Sequence, residues 1–356
     1  MANLFRSLEN EGSIFKDERA LLPEFLPDVL PHREKETKEI ALCVKPAASG
    51  KKPENIVITG PPGTGKTTCA KFVRNELSGY SKHALPVYIN CWEFNSRHSI
   101  LSKLAEKLGH FLPRRGISVD EILERIVEAC TKEKIIPILV LDEVDSLTAT
   151  VRNEENVLYD LVRANEVFSI NIGVIALTNS REFSSKLDSR VRSSLCQRSL
   201  EFNPYTPQQL KDILRERAKL AFILSAIDED AIALCAAIGA KRGGDARIAI
   251  SVLWRAGKEA DKKGAKKLSV EHVKSVSAGL KTKNYERLGE IEEKIVDFLR
   301  TKKDGSAMSG EIYEALNGSE RSLRNYLNKL EETGYLSGED VNLPTRGKSR
   351  KFSLVE

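Results

Sequence analysis

The sequence is poor in the features that would commit it to a metal centre, a disulfide framework or a membrane. Its six cysteines (Cys43, Cys69, Cys91, Cys130, Cys196 and Cys235) are scattered with no Cys-x-x-Cys pair. That argues against a zinc site and a cross-linked scaffold, and predicts reduced thiols lying mostly in cores. The five histidines are equally dispersed, and no two stand at ligand spacing. No apolar run approaches the roughly 18 residues that a membrane span needs. The opening Met-Ala-Asn-Leu-Phe-Arg-Ser-Leu has no long apolar core and is soon followed by acids, unlike a signal peptide. A cytoplasmic chain with no membrane partner is therefore expected. Internal repeats and low-complexity segments are missing, and charge of one sign is scarce, since a net charge of +5 proves no nucleic-acid partner.

What is present is length and pattern. With 356 residues, 41% of them hydrophobic, the chain can bury two or three cores. Charge is distributed unevenly: residues 1–205 hold 28 basic and 28 acidic side chains, 206–280 hold 14 and 9, and 281–356 hold 14 and 14. In the last segment Arg346, Lys348, Arg350 and Lys351 cluster with no acid before Glu356, which reads as a local basic patch. In the first half, short β-branched runs alternate with amphipathic stretches: Asn55 to Thr59, Pro86 to Asn90, Ile135 to Leu141 and Ile172 to Leu177. These predict buried parallel strands with helices between them, an α/β architecture. From Gln208 to Leu280 helical periodicity takes over, and beyond the linker at 281–284 come three helices and a Gly/Pro-punctuated hairpin. The expected domains are an α/β nucleotide-binding domain (1–205), a small all-helical lid (206–280) and a winged-helix domain (281–356).

The most specific motif is the run Gly60, Pro61, Pro62, Gly63, Thr64, Gly65, Lys66, Thr67 and Thr68, which follows a predicted strand and opens a helix. Its glycines let backbone N–H groups turn toward phosphates. Lys66 neutralises β/γ charge, and the Thr67 hydroxyl can bind Mg2+. Asp142 and Glu143 end the apolar run Ile-Leu-Val-Leu, at the sheet edge where open α/β folds bind ligands. There Asp142 would hold Mg2+ through water, and Glu143 would orient or deprotonate the attacking water. Asn179 ends the next strand, where its amide can position that water or serve only as a turn residue. Tyr205 is grouped with the nucleotide-binding residues.

By these motifs the sequence resembles the AAA+ ATPases. The resemblance implies that Arg247, in Gly243-Gly-Asp-Ala-Arg247, reaches from the lid to the γ-phosphate and senses ATP against ADP. It also implies that Arg190 or Arg192 stands where such proteins present an arginine finger to a neighbouring subunit, a surface charge being the equal alternative. Ser189 stands there where proline is common.

The C-terminal segment carries a different chemistry. Leu323, Tyr326, Leu327 and Leu330 recur at helical spacing and predict an inward face. Arg321, Arg324, Asn325 and Asn328 then project outward, the side chains that bond guanine and adenine edges bidentately. A solvated polar face is the alternative. Ile291, Ile295, Phe298 and Leu299 predict the apolar face of an earlier helix. The hairpin tip offers Arg346 and Lys348, and an arginine there can enter a minor groove.

Together with Leu30-Pro-His-Arg33-Glu34 and the Gly-Asp-Ala-Arg motif, this makes nearly the whole chain resemble the archaeal origin-recognition and cell-division-cycle initiators. That resemblance implies an ATP-regulated initiator that binds double-stranded origin DNA and helps recruit the replicative helicase, with a second copy or paralogue beside it. It implies ATP/ADP and Mg2+ as cofactors, slow turnover as a switch, and a nucleoid-associated location in the cytoplasm. It further implies that Val29, Leu30 and Arg33 lie near the adenine, a plain N-terminal strap being the alternative. An initiator-specific insertion between Ser96 and Glu133 would touch DNA through Arg114 and Arg115, unless these sit on a solvated loop. Rival functions are a clamp- or helicase-loading ATPase without sequence preference, which the recognition helix disfavours, and an ATP-dependent transcription regulator, which would protect promoters.

Overall fold

Alternation of apolar side chains along the central strands builds two cores back to back, and this decides where the chain's polar edge falls. The computed structural model describes residues 13–110, 116–148, 156–278, 290–302, 305–316, 319–332, 335–343 and 347–354. Helix α1 (Glu34–Val44) leads into strand β1 (Ile56–Thr59). There follow α2 (Lys66–Tyr80), β2 (Ala84–Asn90), α3 (Arg97–Lys107), α4 (Val119–Glu133), β3 (Ile136–Asp142), α5 (Asn156–Val162) and α6 (Ala164–Phe168). Then come β4 (Gly173–Thr178), α7 (Phe183–Lys186), α8 (Ser189–Leu195) and β5 (Arg198–Glu201).

The strands form one five-stranded sheet in the order β2-β3-β4-β1-β5, and every pairing is parallel. Because successive strand residues face opposite sides, Val57, Leu139, Leu141, Val174 and Ala176 pack under α3, α4 and α5. Their neighbours Ile56, Ile58, Ile138, Val140, Ile175 and Leu177 pack under α1 and α2. Burial of each such side chain contributes roughly 1.5–3 kcal/mol, so the strands are fixed from both faces and their C-terminal ends become a rigid rim. The fifth strand was not expected from the sequence. β5 is a short, mostly exposed edge strand of Arg-Ser-Leu-Glu, too polar to show as an apolar run.

Four helices follow: α9 (Pro207–Ala221), α10 (Glu229–Lys241), α11 (Ala246–Lys262) and α12 (Val270–Ala278). Helix α9 begins in a capping box between Thr206 and Gln209 with proline in its first turn, and Asp245 caps α11 by accepting from the Arg247 and Ile248 amides. The N-terminal segment is laced to these helices. Phe15 bridges Phe222 with ring centroids 4.8 Å apart, the Ile14 amide donates to Asp261 Oδ1 at 2.8 Å, and Trp254 Nε1 donates to Glu18 Oε1 at 2.7 Å.

The chain divides into two compact units, Met1–Val276 and Ser277–Glu356. The second contains α13 (Glu290–Thr301), β6 (Ser306–Met308), α14 (Ser309–Leu316), α15 (Glu320–Glu332), β7 (Leu336–Leu343) and β8 (Gly347–Leu354). Its antiparallel sheet has the order β6-β8-β7, and three helices pack on it around Ile295, Leu299, Ile312, Leu323, Leu327 and Phe352. This is the element order of a winged helix, with the three-residue strand β6 added. Ile291, expected inside, is 38% exposed; Glu292 is buried instead and accepts from Lys329 of α15 at 2.8 Å. A one-residue shift of the buried stripe of α13 accounts for the difference. Among the described residues no helix is long and apolar enough to cross a membrane.

Candidate functional site

The loop from Gly60 to Gly65 leaves the C-terminal end of β1 and delivers the chain into α2, whose first turn carries no side-chain cap. Its amides are therefore free to meet an anion at the positive end of the helix dipole. Gly63 and Gly65 have φ of 74° and 92°, which disfavours any side chain. Space forbids one as well. A Cβ on Gly63 would lie 1.8 Å from the Asp245 carboxylate, and one on Gly65 2.6 Å from the Tyr205 hydroxyl. Asp245 belongs to the helical segment, and beside it the Ala246 amide donates to the Gly63 carbonyl at 3.1 Å, so lid and loop touch through backbone.

Lys66 is buried, and its Nζ donates to the carbonyls of Gly60 at 2.6 Å and Pro61 at 2.9 Å and to Asn179 Oδ1 at 2.8 Å. Burial pulls its pKa down to about 8, against the opposing pull of Asp142. Asp142 ends β3 opposite Asn90 of β2. Its Oδ2 accepts from the hydroxyls of Thr67 and Tyr88, both at 2.8 Å, and its Oδ1 accepts from the Glu143 amide at 3.0 Å. The Tyr88 hydroxyl is pushed well above its ordinary range by burial and then by Asp142, so it stays a proton donor. Glu143 sits at φ 56°, a left-handed conformation that turns it out of the strand line. Its carboxyl is raised by burial, then by Asp142 and Asp145, while Arg247 and a hydrogen bond with the Asn90 side chain hold it back. Thr178 donates to Asp145 at 2.7 Å and accepts from the Ser180 amide at 3.0 Å, which brackets Asn179 between two fixed neighbours.

A cavity of about 570 Å³ opens above these groups. Pro62, Gly63, Thr64, Gly65, Lys66, Thr67, Thr68, Asp142, Glu143, Asn179, Tyr205 and Arg247 line one end, and Val29, Leu30, Phe25, Leu220 and Trp254 give the other an apolar wall. Gly60 and Pro61 lie behind it, their carbonyls on Lys66. Arg33 lines the cavity, but its guanidinium is spent on structure. It donates to the carbonyls of Thr64 at 3.0 Å and Asn203 at 2.7 Å and to Glu36 at 2.7 Å, and stacks 4.1 Å over Tyr205. Arg33 thus serves the strap alternative, pinning the phosphate loop from outside. Arg247 is 65% exposed and held by Asp245 at 3.4 Å.

The donors here are hard oxygens, Thr67 Oγ1 and Asp142 Oδ2, which suit Mg2+. Among the described residues no group of three or more His, Cys, Asp or Glu could hold a metal. Mg2+ would therefore need phosphate and water for its remaining ligands, its usual habit.

The other sequence candidates lie apart from this cavity. Arg190 and Arg192 are exposed on α8, where Arg190 bonds Asp188 at 3.1 Å and lies 5.8 Å from the Tyr159 ring. On α15, Arg321, Arg324, Asn325 and Asn328 are all exposed while Leu323, Leu327 and Leu330 are buried. The basic cluster near the C-terminus is less basic than it reads along the chain. Antiparallel pairing sets Asp340 opposite Arg350 and Glu339 opposite Lys351, and Arg350 bonds both Asp340 at 3.2 Å and Glu331 of α15 at 3.0 Å. Arg114, Arg115, Arg346 and the side chain of Lys348 lie outside the described residues. Tyr88, Asn90 and Asp145 escaped the sequence reading because their partners come from neighbouring strands; only the polar ends of those strands hinted at them.

Residues 50–187 match the family described as AAA domain, and residues 211–278 the Cdc6 AAA+ ATPase-type lid domain. The chain is 35% identical to ORC1-type DNA replication protein 1 of Sulfurisphaera tokodaii, over 97% of this chain and 91% of that one. It is 34% identical to the protein of the same description from Aeropyrum pernix, over 97% and 92%. Among solved structures, the Aeropyrum pernix ORC1 protein in complex with DNA superposes with a TM-score of 0.80 at 33% identity, covering 97% of this chain and 94% of that one. Cdc6p from Pyrobaculum aerophilum, at 24% identity, TM-score 0.69 and coverage of 96% and 94%, shares the fold.

Proposed function

Since this chain belongs to the archaeal ORC1-type DNA replication protein family, we propose that it is an ATP-regulated replication initiator that binds origin DNA as a nucleotide-controlled switch. The observation that carries this reading is that similarity to ORC1-type proteins, one of them solved with DNA, runs nearly end to end. It spans both the phosphate loop and the Arg/Asn face of α15.

In this reading Lys66 and the amides of the loop hold the β- and γ-phosphates. Val29 and Leu30 cover the base, and Tyr205 backs the loop. Thr67 and Asp142 are the residues that would hold Mg2+, whose chemistry is the neutralisation of phosphate charge. Glu143 takes the proton of the attacking water, Asn179 orients that water, and Arg247 reports the γ-phosphate to the lid. Hydrolysis is slow and serves to end a state. Arg190 or Arg192 completes the site of a second copy or paralogue on the same DNA.

On DNA, Arg321, Arg324, Asn325 and Asn328 read base edges from the major groove. Arg346 and Lys348 follow the groove beside it, Arg114 and Arg115 bind from the insertion, and the bound protein recruits the replicative helicase. The deciding experiment is genome-wide binding in cells alongside a Lys66→Ala strain. Protection of repeated motifs at few loci, altered in the variant, supports an initiator. Protection of promoters identifies a regulator instead.

A further inference from the structure

We propose that Tyr88 is a positioning residue of the phosphate site, fixing the Asp142 carboxylate so that a divalent cation finds its oxygen already aimed. The inference rests on the nucleotide-site reading above and assigns a role to a strand residue outside the loop motifs. In the parallel register of β2 and β3, Tyr88 lies beside Val140, two residues short of Asp142 on the same face of the sheet. Its hydroxyl reaches forward to Asp142 Oδ2 at 2.8 Å, the oxygen that also accepts from Thr67 at 2.8 Å. The Glu143 amide holds Oδ1 at 3.0 Å, so both carboxylate oxygens are engaged and the side chain has one orientation.

The Thr67 hydroxyl cannot guarantee that orientation alone, because it is itself a cation ligand in this reading. The phenol can: it rides on a strand of the sheet with its ring packed against the core beneath α2, and the Lys71 ammonium lies 4.4 Å from the ring centroid. A hydroxyl on a rigid ring is a directed donor, and a hydrogen bond to a charged acceptor is among the stronger polar interactions in a protein.

The test is Tyr88→Phe in the full chain, with binding of a fluorescent ATP analogue titrated in Mg2+ and in EDTA and a thermal melt of each protein. The expected result is an affinity in EDTA and a melt like the parent's, with the Mg2+-dependent gain in affinity reduced about tenfold. An unchanged Mg2+ gain overturns the proposal. So does an equal loss in Mg2+ and EDTA, since that marks the ring as packing only. If the parent itself gains nothing from Mg2+, the nucleotide-site reading fails and Tyr88 falls with it, a result distinguishable from a parent that gains and a variant that matches it.

Discussion

Lys66 shows how one side chain sets a measurable pH dependence. Its folded pKa of about 8 lies below the ordinary 10.5, so between those values the unfolded chain holds a proton that the folded chain has shed. More protons on the unfolded state means that stability of the nucleotide-free protein rises with pH across this window as far as Lys66 contributes. Phosphate binding runs the other way, because only the ammonium attracts the anion. ATP affinity measured from about pH 7 to about pH 10 should hold steady and then fall by about tenfold per unit above pH 8; a flat profile would show that Lys66 keeps its proton. At the opposite wall, Glu143→Gln removes the base and leaves the loop intact. Single-turnover hydrolysis should slow by about a hundredfold with nucleotide still bound, and an unchanged rate would take Glu143 out of the reaction. The loop residues were legible because they are contiguous. Arg33 was legible as a participant, but its partners on Thr64 and Asn203 are carbonyls that only the fold brings together.

Among the elements, strands β1 to β4 announced themselves because burial on both faces requires uninterrupted apolar runs. β5, open to solvent, and β6, three residues long, are under no such demand. Helix α15 was readable for the complementary reason: one face is spent on Leu323, Leu327 and Leu330, and the other is left polar. That separation makes a clean experiment. Replacing Arg321 and Arg324 with alanine should leave the melt unchanged and weaken duplex binding, with the salt slope shallower by about 0.9 for each phosphate no longer neutralised. An unaltered affinity would return the face to plain solvation. What the sequence concealed was neutralisation across the hairpin, since Asp340 and Glu331 meet Arg350 only after β7 and β8 pair.

For the whole chain, the covalent start matters as much as the motifs. Ile14 is 3% exposed and lies beside the helical segment, its amide on Asp261 and its carbonyl accepting from Ile223. Ile14→Ala should therefore cost about 2–5 kcal/mol and lower the melting temperature by several degrees; a melt equal to the parent's would show that the strap adds no stability. The end-to-end similarity to ORC1-type proteins covers this strap together with the phosphate loop and lid, although sequence alone left the strap's anchorage unread.

The bond between Ile14 and Asp261 spans 247 positions of sequence, and ribosomes make chains from the first residue onward. The earliest peptide to emerge must wait for its seat until most of the message has been translated, so closure of this lacing is a late, non-local event in biogenesis. A nascent polypeptide halted before α11 would leave Ile14 and Phe15 without their resting place, a sticky end for chaperones to shield.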